Sequence, residues 1–263
     1  MNRISIRFDE LQARKRAALI PFITAGDPLP DVMVSVMHAL VEAGADAIEL
    51  GVPFSDPMAD GPVIQHASER ALAHGVGIAQ ILQWVRAFRQ RDANTPMVLM
   101  GYLNPIEIFG LEKFAREASE AGVDGVLIVD CPIEEDAVLQ PLRDAGLQRI
   151  LLAAPTTSDA RLRQIAEAAE GYLYYVSFAG ITGATRLHAD EVEERVQALK
   201  KLCEVPVAVG FGIKDAEGAK RIGAFADAVV IGSALVEHLA GSTDANEVCT
   251  RAHEFLAPIR KAM

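Results

Sequence analysis

Three acids stand within one stretch of the chain, Ile48-Glu49-Leu50-Gly51-Val52-Pro53-Phe54-Ser55-Asp56-Pro57-Met58-Ala59-Asp60-Gly61. Glu49 interrupts an apolar run. An ionised carboxylate in a packed core costs several kcal/mol or more unless something compensates it. Successive strand residues point to opposite faces, so with Ile48 and Leu50 packed outward Glu49 points into whatever the strand encloses. Asp60 follows in a loop rich in Gly and Pro. Two carboxylates facing one cavity suit general acid–base chemistry. The plainer readings are a rim salt bridge for Glu49 and a turn or cap before Gly61-Pro62 for Asp60. Asp56 is the weakest candidate, because Ser-Asp-Pro is an ordinary turn sequence.

A second group lies late in the chain. Gly183, Gly210, Gly212, Gly232 and Ser233 follow apolar runs and precede helical ones. Glycine lets backbone N–H groups approach an anion closely, and a helix opening at Ser233 favours negative charge. Strand-to-helix turns also use Gly for its conformational freedom, so it is the combination of Gly-x-Gly with Gly-Ser that points to phosphate. Phe22, Met100, Tyr102, Leu127, Phe211 and either Tyr174 or Tyr175 could line a pocket for a flat apolar substrate. No metal site is evident. The His residues are scattered without H-E-x-x-H, and there is no Walker A loop, no G-x-S-x-G elbow and no lysine at a strand end.

The elements that must position these groups form a regular series. Apolar runs at 18–24, 46–50, 97–102, 125–129, 150–153, 172–177, 205–209 and 228–231 are each followed by a helical period. Most are apolar throughout, the pattern of a parallel sheet covered on its outside. Eight strand–helix units in a chain of 263 residues match a (β/α)₈ TIM barrel. The spacing predicts an extra N-terminal helix carrying Ile4, Phe8 and Leu11, and extra short helices in the second and eighth loops. A doubly wound sheet is disfavoured, since no G-x-G-x-x-G follows the first strand. Without a linker or composition break, residues 1–263 read as a single barrel domain. Glu134 to Ala145 is expected to be kinked or split at Pro141. In a barrel the active site lies at the C-terminal ends of the strands, where Glu49, Asp60 and the late glycines all fall.

At 51% hydrophobic the chain can bury a sizeable core. A net charge of −11 argues against nucleic acid and anionic membrane as partners. No run is long enough for a membrane span or signal peptide. Cys131, Cys203 and Cys249 lack metal-ligand spacing and read as reduced thiols of a cytoplasmic protein. The residues alone therefore describe a barrel enzyme using two carboxylates on a phosphorylated, aromatic substrate.

Leu50 through Gly61, with Glu49 in register, resembles the signature of the tryptophan synthase alpha subunit family. The resemblance extends over the chain through Pro21-Phe22-Ile23-Thr24-Ala25-Gly26-Asp27-Pro28, Met100-Gly101-Tyr102-Leu103-Asn104-Pro105, Gly180-Ile181-Thr182-Gly183, Gly210-Phe211-Gly212 and Gly232-Ser233. Cys131, Ile181 and Met58 are mild departures. The resemblance implies retro-aldol cleavage of indole-3-glycerol phosphate to indole and glyceraldehyde 3-phosphate. It assigns proton transfer to Glu49 and acceptance of the indole N–H to Asp60. Phe22, Ile64, Tyr102 and Phe211 would pack on the ring with Tyr174, the register favoured over Tyr175. Gly183, Gly212, Gly232 and Ser233 would bind phosphate, and Thr182 would close the site. It also implies a beta subunit partner in an αββα complex, with pyridoxal phosphate in that partner and no cofactor in this chain. The second loop around Asp56, Asn104-Pro105 and Cys131-Pro132 would face the partner. A catalytically weak subunit acting mainly as an allosteric partner is the alternative, and the intact acid pair argues against it.

Overall fold

A computed structural model describes residues 2–176, 187–210 and 212–263. Its strands are all parallel and run in sequence around one sheet. They are β1 (Ala18–Thr24), β2 (Ile48–Gly51), β3 (Met97–Gly101), β4 (Gly125–Ile128), β5, β6 (Leu173–Val176), β7 (Val207–Gly210) and β8 (Ala228–Ile231). β5 is split into Gln148–Arg149 and Leu151–Ala153. The first piece pairs with β4 and the second with β6, while the Ile150 N–H still donates to the Val126 carbonyl at 2.9 Å. Counting these pieces as one strand, β8 returns to β1 and the eight strands form a barrel.

Alternation along each strand divides the core in two. Leu19, Ile23, Ile48, Leu50, Leu99, Val126, Tyr175, Val209 and Ile231 face outward under the helices. Ala18, Ile20, Ala47, Val98, Leu127, Ile150, Tyr172, Tyr174, Ala208 and Val230 face inward. The N-terminal helix Arg3–Ala13 plugs the lower end, because its buried stripe of Ile4, Phe8 and Leu11 joins the inner cluster. The plug packs tightly against Gly125, where a Cβ would come within 3.1 Å of Ile4, while at Gly171 it is Ile150 of the inner cluster that a Cβ would meet, at 2.8 Å.

The lower rim carries a repeated device. Just ahead of each even strand, a carboxylate accepts a hydrogen bond from a residue near the start of the preceding odd strand. Asp46 accepts from Leu19 N, Asp124 from Met97 N, Glu170 from Arg149 N and Asp227 from Val207 N, each at 2.9 Å. Asp46 also holds Arg16 at 2.5 Å and Arg260 at 2.9 Å, tying the entry to β1 and the last helix to one carboxylate.

The second loop holds two helices, Pro62–Ala73 and Ile78–Arg89, and the eighth holds Ser233–Leu239 before Ala245–Ala262. The segment at Pro141 is in two pieces as expected, a 3₁₀ turn over Ile133–Leu139 and an α-helix over Gln140–Asp144. Proline near a helix start removes no intrahelical bond. One helix was not expected. Leu103–Phe109 forms right after β3 despite Pro105, which falls in its first turn. No helix among the described residues is long and apolar enough to cross a membrane.

Candidate active site

Glu49 lies in β2 with its side chain turned inward, and it is fully buried. The Tyr172 hydroxyl donates to its Oε1 at 2.5 Å, and Oε2 has no partner among the described residues. No cation among the described residues compensates it. Desolvation pushes the carboxyl up from 4.5 to about 7, with the Tyr172 hydrogen bond opposing. A carboxyl near neutrality can both give and take a proton at working pH. Sequence reasoning did not single out Tyr172. It was findable, since it lies two residues before Tyr174 and so shares its inward face.

Asp60 is half-buried in the loop after β2, directly before Gly61 and the helix Pro62–Ala73. The Tyr102 hydroxyl donates to Asp60 Oδ2 at 3.1 Å and accepts from Ala59 N–H at 3.0 Å. The Gln65 amide holds the Asp60 carbonyl at 2.7 Å. Burial raises this carboxyl too, against the Tyr102 hydrogen bond. Asp60 is thus a placed side chain and not merely a turn residue. It lines a narrow crevice with Phe22, Ile64, Met100 and Tyr102. The Phe22 ring lies across the end of β2, and a Cβ on Gly51 would stand 2.5 Å from its Cζ.

Of the two tyrosines left open, Tyr174 faces the interior and Tyr175 packs outward. Tyr174 stands against the end of β7, where a Cβ on Gly210 would meet its hydroxyl at 2.0 Å. Gly212, with φ +75°, and the Gly232–Ser233 junction follow β7 and β8 at the same rim. Thr182, Gly183 and Phe211 lie outside the described residues. Asp56 is not among the residues lining the crevice; it is exposed and accepts from the Ser55 hydroxyl at 2.5 Å. A larger groove of about 770 Å³ lies between the outer helices Asp159–Ala168 and Leu187–Leu202, lined by residues of those helices and by none of the crevice residues.

A second arrangement went unread in the sequence. Arg70 binds Asp27 through both carboxylate oxygens, at 2.6 and 3.1 Å, with Asp27 buried. This pair ties the loop after β1 to the helix that starts beside Asp60 and carries Ile64.

A parallel (β/α)₈ barrel with one carboxylate of raised pKa in β2 and another in the loop that follows it has the layout of an enzyme equipped for acid–base chemistry. The comparisons narrow it. The family model for the tryptophan synthase alpha chain matches residues 8–263. The chain is 58% identical to the tryptophan synthase alpha chain of Xylella fastidiosa strain 9a5c, covering 100% of this chain and 98% of that one. It is 56% identical to that of Cupriavidus taiwanensis, with 100% and 99% covered. Among solved structures, the alpha subunit from Legionella pneumophila superposes with a TM-score of 0.92 at 45% identity, over 100% of this chain and 98% of that one. A tryptophan synthase structure from M. tuberculosis in an aminoacrylate-bound form gives 0.87 at 35% identity, over 100% and 99%. The chain belongs to the tryptophan synthase alpha chain family.

Proposed function

We propose that this chain, folded as a single domain, is a cytoplasmic lyase that cleaves indole-3-glycerol phosphate to indole and glyceraldehyde 3-phosphate. The observation that carries the reading is Glu49: fully buried, with no compensating cation and one hydrogen-bonded oxygen among the described residues, and pushed up to about 7. Protonated Glu49 gives its proton to C3 of the indole ring. Positive charge then develops on the ring, and Asp60 stabilises it by accepting the ring N–H. The Glu49 carboxylate next takes the proton of the glycerol hydroxyl adjacent to C3. The C–C bond breaks, its electron pair returns to the ring, and the hydroxyl carbon becomes the aldehyde. Glu49 ends protonated, as it began.

Phe22, Ile64, Tyr102, Tyr174 and Phe211 pack on the ring in this reading, while Gly183, Gly212, Gly232 and Ser233 take the phosphate. Thr182 closes the site and excludes water. The exposed Met58, on the loop after β2, and Ile108, on the helix after β3, support a docking face for a beta subunit near Asp56, Asn104 and Pro132. The partner carries the pyridoxal phosphate in an αββα assembly, and this chain holds no cofactor.

The test is indole release by the chain alone and with its partner. Glu49→Gln is expected to abolish release while leaving substrate affinity largely intact. For the unaltered chain, kcat/KM falls as pH rises through about 7, as protonated Glu49 is lost. Appreciable turnover by the variant would overturn the assignment of Glu49. No indole from the unaltered chain, with or without partner, would overturn the lyase.

A further inference from the structure

Thr24 ends β1 on the inward face, two residues above Phe22. Its side chain is only 2% exposed, and its hydroxyl has no hydrogen-bond partner among the described residues. The nearby turn uses its carbonyl, which accepts from Asp27 N–H at 3.1 Å, and leaves the hydroxyl alone. Valine has nearly the same shape and would fill this place without burying an unpaired polar group. A buried hydroxyl without a partner among the described residues therefore points to a hydrogen bond that is made when substrate binds.

The register says where. Phe22 is paired with Glu49, and Thr24 with Gly51. Thr24 thus sits one inward layer nearer the mouth than the acid that moves protons, about 7 Å up the strand. At that level it lines the same crevice as Asp60. Asp60 has one oxygen engaged by Tyr102, and no hydrogen bond from the described residues reaches the other.

We propose that Thr24 is a positioning residue for Asp60: in the substrate complex its hydroxyl donates to the carboxylate oxygen that Tyr102 leaves open. With Tyr102 on one oxygen and Thr24 on the other, the carboxylate is fixed in orientation and held ionised as the ring N–H arrives. The hydroxyl then acts when charge builds on the ring, and its removal falls on kcat more than on KM. The proposal rests on the lyase reading.

The experiment compares Thr24→Val and Thr24→Ser in steady-state indole release, kcat against pH, and thermal unfolding. Thr24→Val is expected to unfold at or above the wild-type temperature yet lose about 10-fold or more in kcat, the worth of a hydrogen bond to a charged group. Its acid limb of kcat moves to higher pH, because Asp60 loses a donor to its charged form. Thr24→Ser keeps the hydroxyl and stays within about 3-fold of wild type, less than the loss of such a bond. Wild-type kcat in Thr24→Val would overturn the proposal. Parallel losses of stability and activity in both variants would overturn it too, since they mark packing alone. If the wild-type chain itself releases no indole, the lyase reading fails first, and the two failures are told apart by that control.

Discussion

Replacing Glu49 by Gln should change the pH dependence of stability in a defined direction. The folded-state carboxyl titrates near 7, against 4.5 without burial. Between those values the folded chain binds more protons than the unfolded one. The stabilising contribution of neutral Glu49 is therefore fully present below pH 4.5 and is lost as pH rises through about 7. The displacement is worth about 3 kcal/mol at 1.36 kcal/mol per pKa unit, and the full exclusion of Glu49 from solvent means that screening does not reduce it. Gln keeps the shape and still accepts from Tyr172, but it does not titrate. Its amide nitrogen takes the place of the unpartnered Oε2, a constant offset that cancels when pH values are compared. The stability of Glu49→Gln relative to wild type should rise by about 2–3 kcal/mol between pH 5 and pH 9. Urea unfolding at pH 5, 7 and 9 in constant salt measures it, with fluorescence of Trp84, the chain's single tryptophan and a buried one, as the probe. A difference that stays flat across pH, or one that shrinks as pH rises, would refute the assignment of a buried, uncompensated carboxyl.

Tyr172→Phe removes the donor that lowers the Glu49 pKa, so the alkaline limb of kcat/KM should move above pH 7, with about 1–3 kcal/mol of stability lost. Gly210→Ala puts a methyl 2.0 Å from the buried Tyr174 hydroxyl and should abolish most indole release and cost about 1–3 kcal/mol. Gly61→Ala is the matching control, because nothing lies within 4 Å of its would-be Cβ, and assays of both variants should separate cleanly. Arg70→Ala strands the Asp27 carboxylate and should cost about 1–3 kcal/mol, raising KM as the helix bearing Ile64 loosens; chemical denaturation and substrate titration read the two effects.

Alternation made much of this legible in the chain alone. Glu49 between two outward leucine-like neighbours had to point inward, and the apolar strands with helical periods between them left little choice of architecture. Tyr174 against Tyr175 could not be settled by composition, because both positions are aromatic and both are buried; only the phase of β6 decides it. Tyr172 escaped because a tyrosine opening a strand looks like ordinary core until its hydroxyl is seen to meet a carboxyl from β2, 123 residues away. The Asp27–Arg70 pair escaped for the same reason, as partners 43 residues apart leave no local pattern. The helix Leu103–Phe109 was hidden by Asn104-Pro105, which reads as a turn unless proline falls in the first turn of a helix. Thr24 was legible only as part of a loop motif, since a missing hydrogen-bond partner is a property of the packed chain.

The carboxylates of the lower rim join strands in pairs and skip the seams between pairs: one latch each for β1–β2, β3–β4, β5–β6 and β7–β8. An eight-strand cylinder latched this way has the symmetry of four tandem quarters. Its joints fall in the connections that lead into β3, β5 and β7. The entry to β1 and the last helix are already drawn together, with Arg16 and Arg260 sharing Asp46. Closed by a linker from the last helix back to the start of the N-terminal helix beside Asp124 and reopened at a joint between quarters, such a ring would keep every latch intact, whereas a cut inside a quarter would part a carboxylate from the strand it holds.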